Sequence, residues 1–542
     1  MKEHQNSNSQ IRLPFLITLA IVAGMLIGAN VADNSDADNN LLKSLYKFRQ
    51  VLTYINDDYV DDVKTEDLVE KAISDLLVDL DPHSVYITGA DLERSRADLE
   101  GEYSGIGIQF DIFKDTIYVV SPFSGGPSEK AGLRAGDKIV KVNGETVAGV
   151  EIGNRGVFEK LRGKKGTEVE VSISRKNENQ LLDFTITRDK IPQYAVDVSY
   201  MVDDEIGYIK VNKFSATTFD EFKIHLKGLM EQGMKKLVLD LTGNPGGYLD
   251  KAVKMADEMI AGEDAMIVYT EGKGTRSNSE YRTSRDGAFE TQPVIVLVDE
   301  GSASASEIVA GALQDHDRAL IVGRRSFGKG LVQMPFELTD GSELRLTISR
   351  YYTPSGRCIQ KAYDGKSAAY DRDILERYES GEMFSADSLK VIDSLKYETQ
   401  GGRVVYGGGG ITPDYFVGVD TLMNSKYLNG LFTSNTLQEY TLNYTTGNKK
   451  QLEEMGLEQF LQDFEVSDKM LKELIALGES NKLAFNKTQY QQSQKLIECY
   501  VKAYIARGVW DNQGFYPVLN ETNEIYQRAI GLFDEAEKLS LK

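Results

Sequence analysis

Apolar residues between 41 and 80 recur at helical spacing. Leu41, Leu42, Leu45, Phe48, Val51, Leu52 and Ile55 form one stripe. After the acidic turn Asp57–Asp62 a second stripe runs through Leu68, Val69, Ala72, Ile73, Leu76, Leu77 and Leu80. Thr65 is the expected N-cap of the second helix and Asp81-Pro82 its expected stop. Two amphipathic helices need a partner surface, either the main body of the chain or, more sharply, a second copy. From residue 100 the pattern changes to strands: Gly107–Phe110, Thr116–Val120, Lys138–Val142, Glu168–Ser174 and Leu182–Thr187. From about 205, Val-, Ile- and Leu-rich strands (Ile206–Val211, Leu237–Leu241, Ala265–Tyr269, Val294–Val298, Ala319–Val322) alternate with helices. The helical segments are the Phe219–Met230 stripe, Leu249–Ile260 and Ser306–Leu313. That alternation predicts a layered α/β domain. Residues 360–405, rich in Asp, Ser, Tyr and Lys, break it and read as a surface insertion. Residues 425–542 are helical and polar, and read as a separate domain with no visible chemistry.

Composition narrows the function. A chain of 542 residues is long enough for three to four domains. Its 62 basic and 83 acidic residues give a net charge of −21, which argues against nucleic acid as a partner. Cys358, Cys499 and the four histidines (His4, His83, His225, His316) never fall at metal-ligand spacing, so a Cys/His zinc site is not expected. The sequence does not decide whether the two cysteines pair. Arg12 precedes the apolar run Leu13–Ala29, with acidic and polar residues after it. Such a run is long enough to cross a bilayer and leave the N-terminus cytoplasmic. The alternative is a cleaved signal peptide. On either reading the rest of the chain is exported, with a bacterial periplasm the expected compartment.

Chemistry concentrates where small residues follow buried strands. Asp240-Leu-Thr-Gly-Asn-Pro-Gly-Gly247 ends a strand in a glycine turn just before a helix, a geometry that suits an anion or an oxyanion. Gly301-Ser-Ala-Ser-Ala-Ser-Glu307 opens a helix after another strand, and Ser326-Phe-Gly-Lys329-Gly330 sets a lysine between glycines. Three familiar motifs fail here. Gly323–Lys329 resembles a phosphate-binding loop, but Gly330 stands where Ser or Thr would hold magnesium. Ser326-x-x-Lys329 matches penicillin-binding enzymes, but Gly328 and Gly330 oppose the helix that motif needs. His316 lies about three helical turns beyond Ser304 and reads as an ordinary surface histidine. What remains is a serine–lysine pair, in which burial must lower the lysine pKa for it to act as a base.

Two resemblances follow from these motifs. The pattern Pro127-x-x-x-Ala131-Gly-Leu-x-x-Gly136-Asp-x-Ile139-x-x-Val142-Asn-Gly resembles a PDZ domain, with Ser104-Gly105-Ile106-Gly107-Ile108 as its carboxylate loop. Such a domain binds an extended peptide by strand addition, its terminal carboxylate held by backbone N–H groups. Together with that segment, Asn244–Gly247, Gly301–Glu307, Gly311-Ala-Leu-Gln-Asp315, Phe327–Gly330 and Tyr351-Tyr-Thr-Pro-Ser-Gly356 resemble the C-terminal processing peptidases, or tail-specific proteases, over residues 40–420. The resemblance implies a crotonase-like peptidase core, with Ser304 as nucleophile, Lys329 as base and Gln333 orienting the lysine. It also implies oxyanion donors at the backbone of Ala305 and of Gly246 or Gly247. Thr242 departs from the family, which usually carries arginine there.

The expected fold class is therefore multidomain α/β. Residues 1–32 form an anchor or signal, 33–98 a helical region, 99–190 the PDZ domain, 191–424 the peptidase core and 425–542 the helical domain. The expected function is a membrane-anchored serine endopeptidase that engages exposed protein C-termini and needs no metal or organic cofactor. Its rivals are an inactive PDZ adaptor and a penicillin-binding-type acyl transferase.

Overall fold

The computed structural model describes residues 40–363, 367–389 and 393–540. These residues divide into two compact units, one ending at Leu77 and the other beginning at Val78. In the first, a helix over 40–58 is followed by the helix Thr65–Val78. Leu41, Leu42, Leu45 and Val51 of the expected stripe are exposed. The apolar run Leu13–Ala29 lies outside the described residues, and among these no helix is long and apolar enough to cross a membrane.

In the second unit the helix Gly89–Glu100 leads into a small β domain. Its sheet runs, in spatial order, Ile108–Phe113, Thr116–Pro122, Lys138–Val142, Glu168–Ser174 and Leu182–Thr187. The helix Asn154–Leu161 buries Val157 and Leu161 among the apolar residues of this sheet. All five strands expected from the alternation are present.

The main sheet has six strands, ordered Val196–Met201, Ile206–Val211, Lys236–Asp240, Val294–Val298, Ala319–Gly323 and Tyr415–Phe416. The first pair is antiparallel and the other neighbours are parallel. Side chains alternate between two separate cores, as the two-residue period of a strand requires. Leu237, Leu239, Val294, Val296 and Val298 join the core covered by the helices Thr218–Glu231, Leu249–Asp257 and Ala305–Asp315. Val238, Ile295, Leu297, Leu320 and Val322 join the other, whose cover is Ile525, Tyr526, Ala529, Leu532 and Phe533. The last helices are thus part of the α/β body, not of a separate domain, because the second face of an all-apolar sheet has to be covered.

A second sheet, Val85–Ile87, Glu343–Tyr352, Met266–Gly272 and Ser279–Arg282 in spatial order, carries Leu331–Glu337 on the long strand Glu343–Tyr352. Residues 360–405 are not a surface appendage. Lys361 is 5% and Arg377 3% exposed, and Arg325 pairs with Glu382 at 2.6 Å, so the segment is packed against the loop at 325–329. Cys358 and Cys499 are both free thiols.

Candidate active site

Ser304 caps the helix Ala305–Asp315 with φ 55° and ψ −111°. A residue with a Cβ rarely adopts this conformation, which costs about 1–3 kcal/mol and persists only where the surroundings over-determine it. Here they do. The Ser304 N–H donates to Glu307 Oε2 at 2.8 Å, its carbonyl accepts from Tyr351 Oη at 3.0 Å, and Ala303 N–H donates to Asn244 O at 2.9 Å. Gly246 must be glycine on the other side, since a Cβ there would lie 2.8 Å from Ser304 Cβ and 2.9 Å from Ala305 N.

The neighbouring serines are committed elsewhere. Ser302 Oγ donates to Leu241 O at 2.8 Å, Ser306 Oγ to Asn244 O at 2.9 Å and Ser326 Oγ to Glu307 Oε1 at 2.5 Å. Ser304 Oγ donates to no acceptor among the described residues and opens onto a cavity of about 840 Å³. Lys329, Gln333, Gly246, Gly247, Ala305 and Tyr351 line the same cavity.

The Lys329 loop is held from below by Glu307, which is fully buried. Besides Ser304 N–H and Ser326 Oγ, its carboxylate accepts the N–H groups of Gly328 at 2.7 Å and Lys329 at 2.9 Å. Burial pushes the Glu307 carboxyl above the usual range, against the pull of these hydrogen bonds. The insertion helix Ser367–Glu379 holds the same loop from behind. Arg377 Nη1 donates to Ser326 O at 2.8 Å and Arg325 O at 3.2 Å, and Nη2 to Phe327 O at 3.2 Å. Tyr351 Oη joins the two halves of the site, its one proton shared between Ser304 O and Lys329 O.

Burial pushes the Lys329 ammonium below its ordinary value, with Glu307 and Asp81 pulling the other way. Asp81 is itself held by Ser84 Oγ at 2.6 Å and Thr347 Oγ1 at 3.0 Å. Gln333 Nε2 donates to this same Thr347 hydroxyl at 3.2 Å, so its amide is tied to the Asp81 network. The sequence marks Asp81 only as a helix stop, and Thr347 not at all. Neither carries a local motif, and only the Glu343–Tyr352 strand brings them beside Gln333.

Of the two glycines expected as oxyanion donors, Gly246 has its N–H engaged by Asn244 Oδ1 at 2.9 Å. Among the described residues, Gly247 and Ala305 N–H have no acceptor. Gly247 lies so close to Phe214 that a Cβ would sit 2.1 Å from its carbonyl oxygen. Thr242 Oγ1 donates to Asp240 Oδ1 at 2.7 Å and accepts from the buried Lys210. His316 is half-buried, not on the surface, with Nε2 2.6 Å from Met266 O. The Asp315 and Tyr351–Gly356 motifs meet through Arg357, fully buried and 2.7 Å from Asp315.

In the small β domain, Ser104 and Gly105 are paired with Lys190 and Asp189. Gly107 follows at φ 71°, and Ile106 O accepts Ser128 N–H and Oγ at 3.0 and 2.7 Å. This turns the loop's carbonyls inward and leaves Ile106 and Gly107 N–H without acceptors among the described residues. The Ile106 and Ile108 side chains are core residues, so they offer no apolar pocket for a ligand. A groove of about 500 Å³ beside Ser104 is lined by Tyr103, Phe158, Arg162, Lys164 and Lys190. It shares Arg96 and Glu100 with the Ser304 cavity.

Sequence comparison gives the class to which this fold and site belong. Residues 205–366 match peptidase family S41 and residues 104–186 the PDZ domain. Residues 24–90 match the activating protease CtpB N-terminal domain, and 427–511 a family of unknown function, DUF8443. The chain is 36% identical over 376 residues to the carboxy-terminal-processing protease of Bartonella bacilliformis, covering 68% of this chain and 85% of the relative. It is 34% identical over 373 residues to the carboxy-terminal processing protease CtpB of Bacillus subtilis, covering 68% and 75%. Among solved structures, the photosystem II D1 C-terminal processing protease is 26% identical, covers 70% of this chain and 87% of that one, and superposes with a TM-score of 0.36. The chain belongs to the carboxy-terminal-processing proteases of peptidase family S41, which are serine-type enzymes, and it carries a PDZ domain.

Proposed function

We propose that Ser304 and Lys329 form the catalytic dyad of this protease and that its PDZ domain captures substrates by their free C-termini. The observation that carries the reading is the shared cavity, lined by Ser304, whose hydroxyl donates to no acceptor among the described residues, by the half-buried Lys329, and by Ala305 and Gly247. Neutral Lys329 takes the Ser304 proton as Oγ attacks the scissile carbonyl. Ala305 and Gly247 N–H receive the developing oxyanion. Lys329 returns the proton to the leaving amine, and water then releases the acyl group by the reverse sequence. Gln333 takes no proton and acts through the Thr347–Asp81 network. The unpaired Ile106 and Gly107 N–H groups supply the donors for a terminal carboxylate, beside a groove where Arg162, Lys164 and Lys190 are interleaved with Glu100, Glu102 and Glu159. The Leu13–Ala29 run would anchor the enzyme with its catalytic part exported.

Labelling by a serine-reactive fluorophosphonate tests the dyad. Label on the parent and none on Ser304→Ala is expected, and undiminished labelling of that variant would reject the assignment. A model substrate with a free or an amidated C-terminus tests the capture. Amidation should slow cleavage below saturation by about tenfold or more, since a charge-assisted hydrogen bond contributes roughly 1.5–3 kcal/mol. Equal rates would remove the tail recognition and leave a generic endopeptidase.

A further inference from the structure

The C-terminal helices meet the PDZ domain at a point that bears on how much of a ligand it can hold. The strand Ile108–Phe113 lies at the edge of its sheet, with Thr116–Pro122 on one side. The two strands are joined by Lys114-Asp115, both at positive φ (49° and 55°), a two-residue turn. Such a turn makes Phe113 and Thr116 a closing hydrogen-bonded pair. The register Phe113↔Thr116, Ile112↔Ile117, Asp111↔Tyr118, Phe110↔Val119 then alternates. Ile112 and Phe110 therefore turn their N–H and C=O groups outward, where an added strand would pair.

The Ile112 carbonyl already has a side-chain partner. Asn435 Nδ2 donates to it at 3.2 Å. Asn435 is the N-cap of the helix Thr436–Met455, at φ 53° and ψ 18°, yet its side chain makes no bond to its own helix. An N-cap asparagine ordinarily satisfies its helix's first N–H groups; this one is turned onto the neighbouring domain. Lys114 pairs with Glu439 Oε1 at 2.8 Å one turn further along, and Glu439 Oε2 accepts from Asn481 at 2.9 Å. The turn that closes the hairpin is thereby fixed to the helix that carries Asn435.

We propose that Asn435 acts as a strand stop, restricting strand addition on the PDZ edge to the last four residues of a ligand. This rests on the reading of the PDZ domain as a C-terminus binder. A ligand with its carboxylate at Ile106–Gly107 runs antiparallel to the edge strand, its last residue facing Ile108. Stepping two residues along the strand steps back two along the ligand. The third residue from the end then pairs with Phe110, and the fifth would donate to Ile112 O, where Asn435 already sits. The preferred substrate class is a protein tail extended over four residues and unconstrained above them. Proline fifth from the end is tolerated, because no N–H is needed there.

The test uses the full chain carrying Ser304→Ala, so that ligand is not cut, and an eight-residue peptide with a free carboxylate. Each of its last six amides is N-methylated in turn and affinity is read by fluorescence anisotropy. Methylation third from the end should weaken binding by roughly two- to tenfold or more, the range of one lost hydrogen bond, and methylation fifth from the end should have no effect. Adding Asn435→Gly, which suits the positive φ, should make the fifth position sensitive by a similar factor. Asn435→Asp, which keeps the shape and loses the donor, serves if the glycine variant melts early. Sensitivity at the fifth position with Asn435 intact, or its absence in both variants, overturns the strand stop. Indifference at every position, together with equal binding of the amidated peptide, overturns the C-terminus reading itself.

Discussion

At the residue scale, the site separates four serines by what their hydroxyls already do. Ser304→Ala and Lys329→Ala should each abolish peptide cleavage with the melting temperature nearly unchanged, and the double variant should be no worse than either, because groups that act as a unit are not additive. Ser302→Ala and Ser306→Ala should stay active and lose stability, each giving up a hydrogen bond to a buried carbonyl, about 1 kcal/mol. Ser326→Ala should be active but slower, since Ser326 Oγ holds Glu307 and also accepts the Ile411 N–H at 2.6 Å. A dead Ser326 variant beside an active Ser304 variant would reverse the assignment. The pH profile follows from the direction of the lysine shift. Lys329 is held below its ordinary 10.5 chiefly by burial, so its neutral form, the one the proposed dyad needs, gains population as pH rises through that lowered value. A rising limb with midpoint below 10.5 is expected in kcat/KM, unmoved by His316→Gln, because His316 is turned to Met266 O.

At the scale of elements, the insertion helix Ser367–Glu379 belongs to the site although none of it lines the cavity. Arg377 gathers the carbonyls of Arg325, Ser326 and Phe327, the three residues before Gly328-Lys329, and pairs with Asp373 at 2.9 Å. Arg377→Ala should cost about 1.5–3 kcal/mol in chemical denaturation, the range for hydrogen bonds from a charged donor, because Asp373 is partly exposed and keeps Lys361 as its partner. At a temperature where the variant is still folded, kcat should fall at least tenfold with KM little changed. A KM effect alone would place Arg377 with substrate binding instead. The same reasoning explains the motif at 351–357. Gly311 admits Thr353, whose Cγ2 would be 2.8 Å from a Cβ there, and Asp315 binds Arg357. These residues lock the serine helix to the strand that supplies Tyr351.

At the scale of the whole molecule, His83 links the lysine neighbourhood to acid stability. Its Nε2 lies 2.7 Å from Tyr370 Oη. Burial, with the Lys329 charge adding to it, lowers its pKa from 6.5 to about 4. Between those values the unfolded chain binds a proton that the folded one does not, so stability falls as pH drops from 6.5 towards 4. For a side chain that is only part-buried the effect should be on the order of 1–2 kcal/mol. His83→Gln should flatten that part of the curve in denaturant titrations at pH 7 and pH 5, and an unchanged difference between the two pH values would remove His83 from the acid limb.

Strand and helix positions in the PDZ domain and the main sheet follow from the sequence because side-chain period is a local property. Lys138–Val142, Glu168–Ser174, Leu182–Thr187, Ile206–Val211 and Val294–Val298 run from the same first residue to the same last as the apolar pattern proposed. The serine loop and the lysine loop were legible for a related reason, since glycines and small residues are needed wherever backbone approaches backbone. What covers the second face of the sheet was not legible. Helical stripes at 525–536 look alike whether they pack on one another or on a sheet hundreds of residues away. For the same reason the insertion read as surface, because its polar residues are spent on distant carbonyls and carboxylates. Asp81, Thr347 and Arg377 reach the site only across long sequence separations, and the N–H groups of Gly246 and Gly247 differ only through Asn244. The chain's local chemistry determines which groups can react and which elements form. Tertiary packing decides which of those groups are already hydrogen-bonded and which are left free, because a hydrogen bond depends on distance in space, which residue order alone does not set.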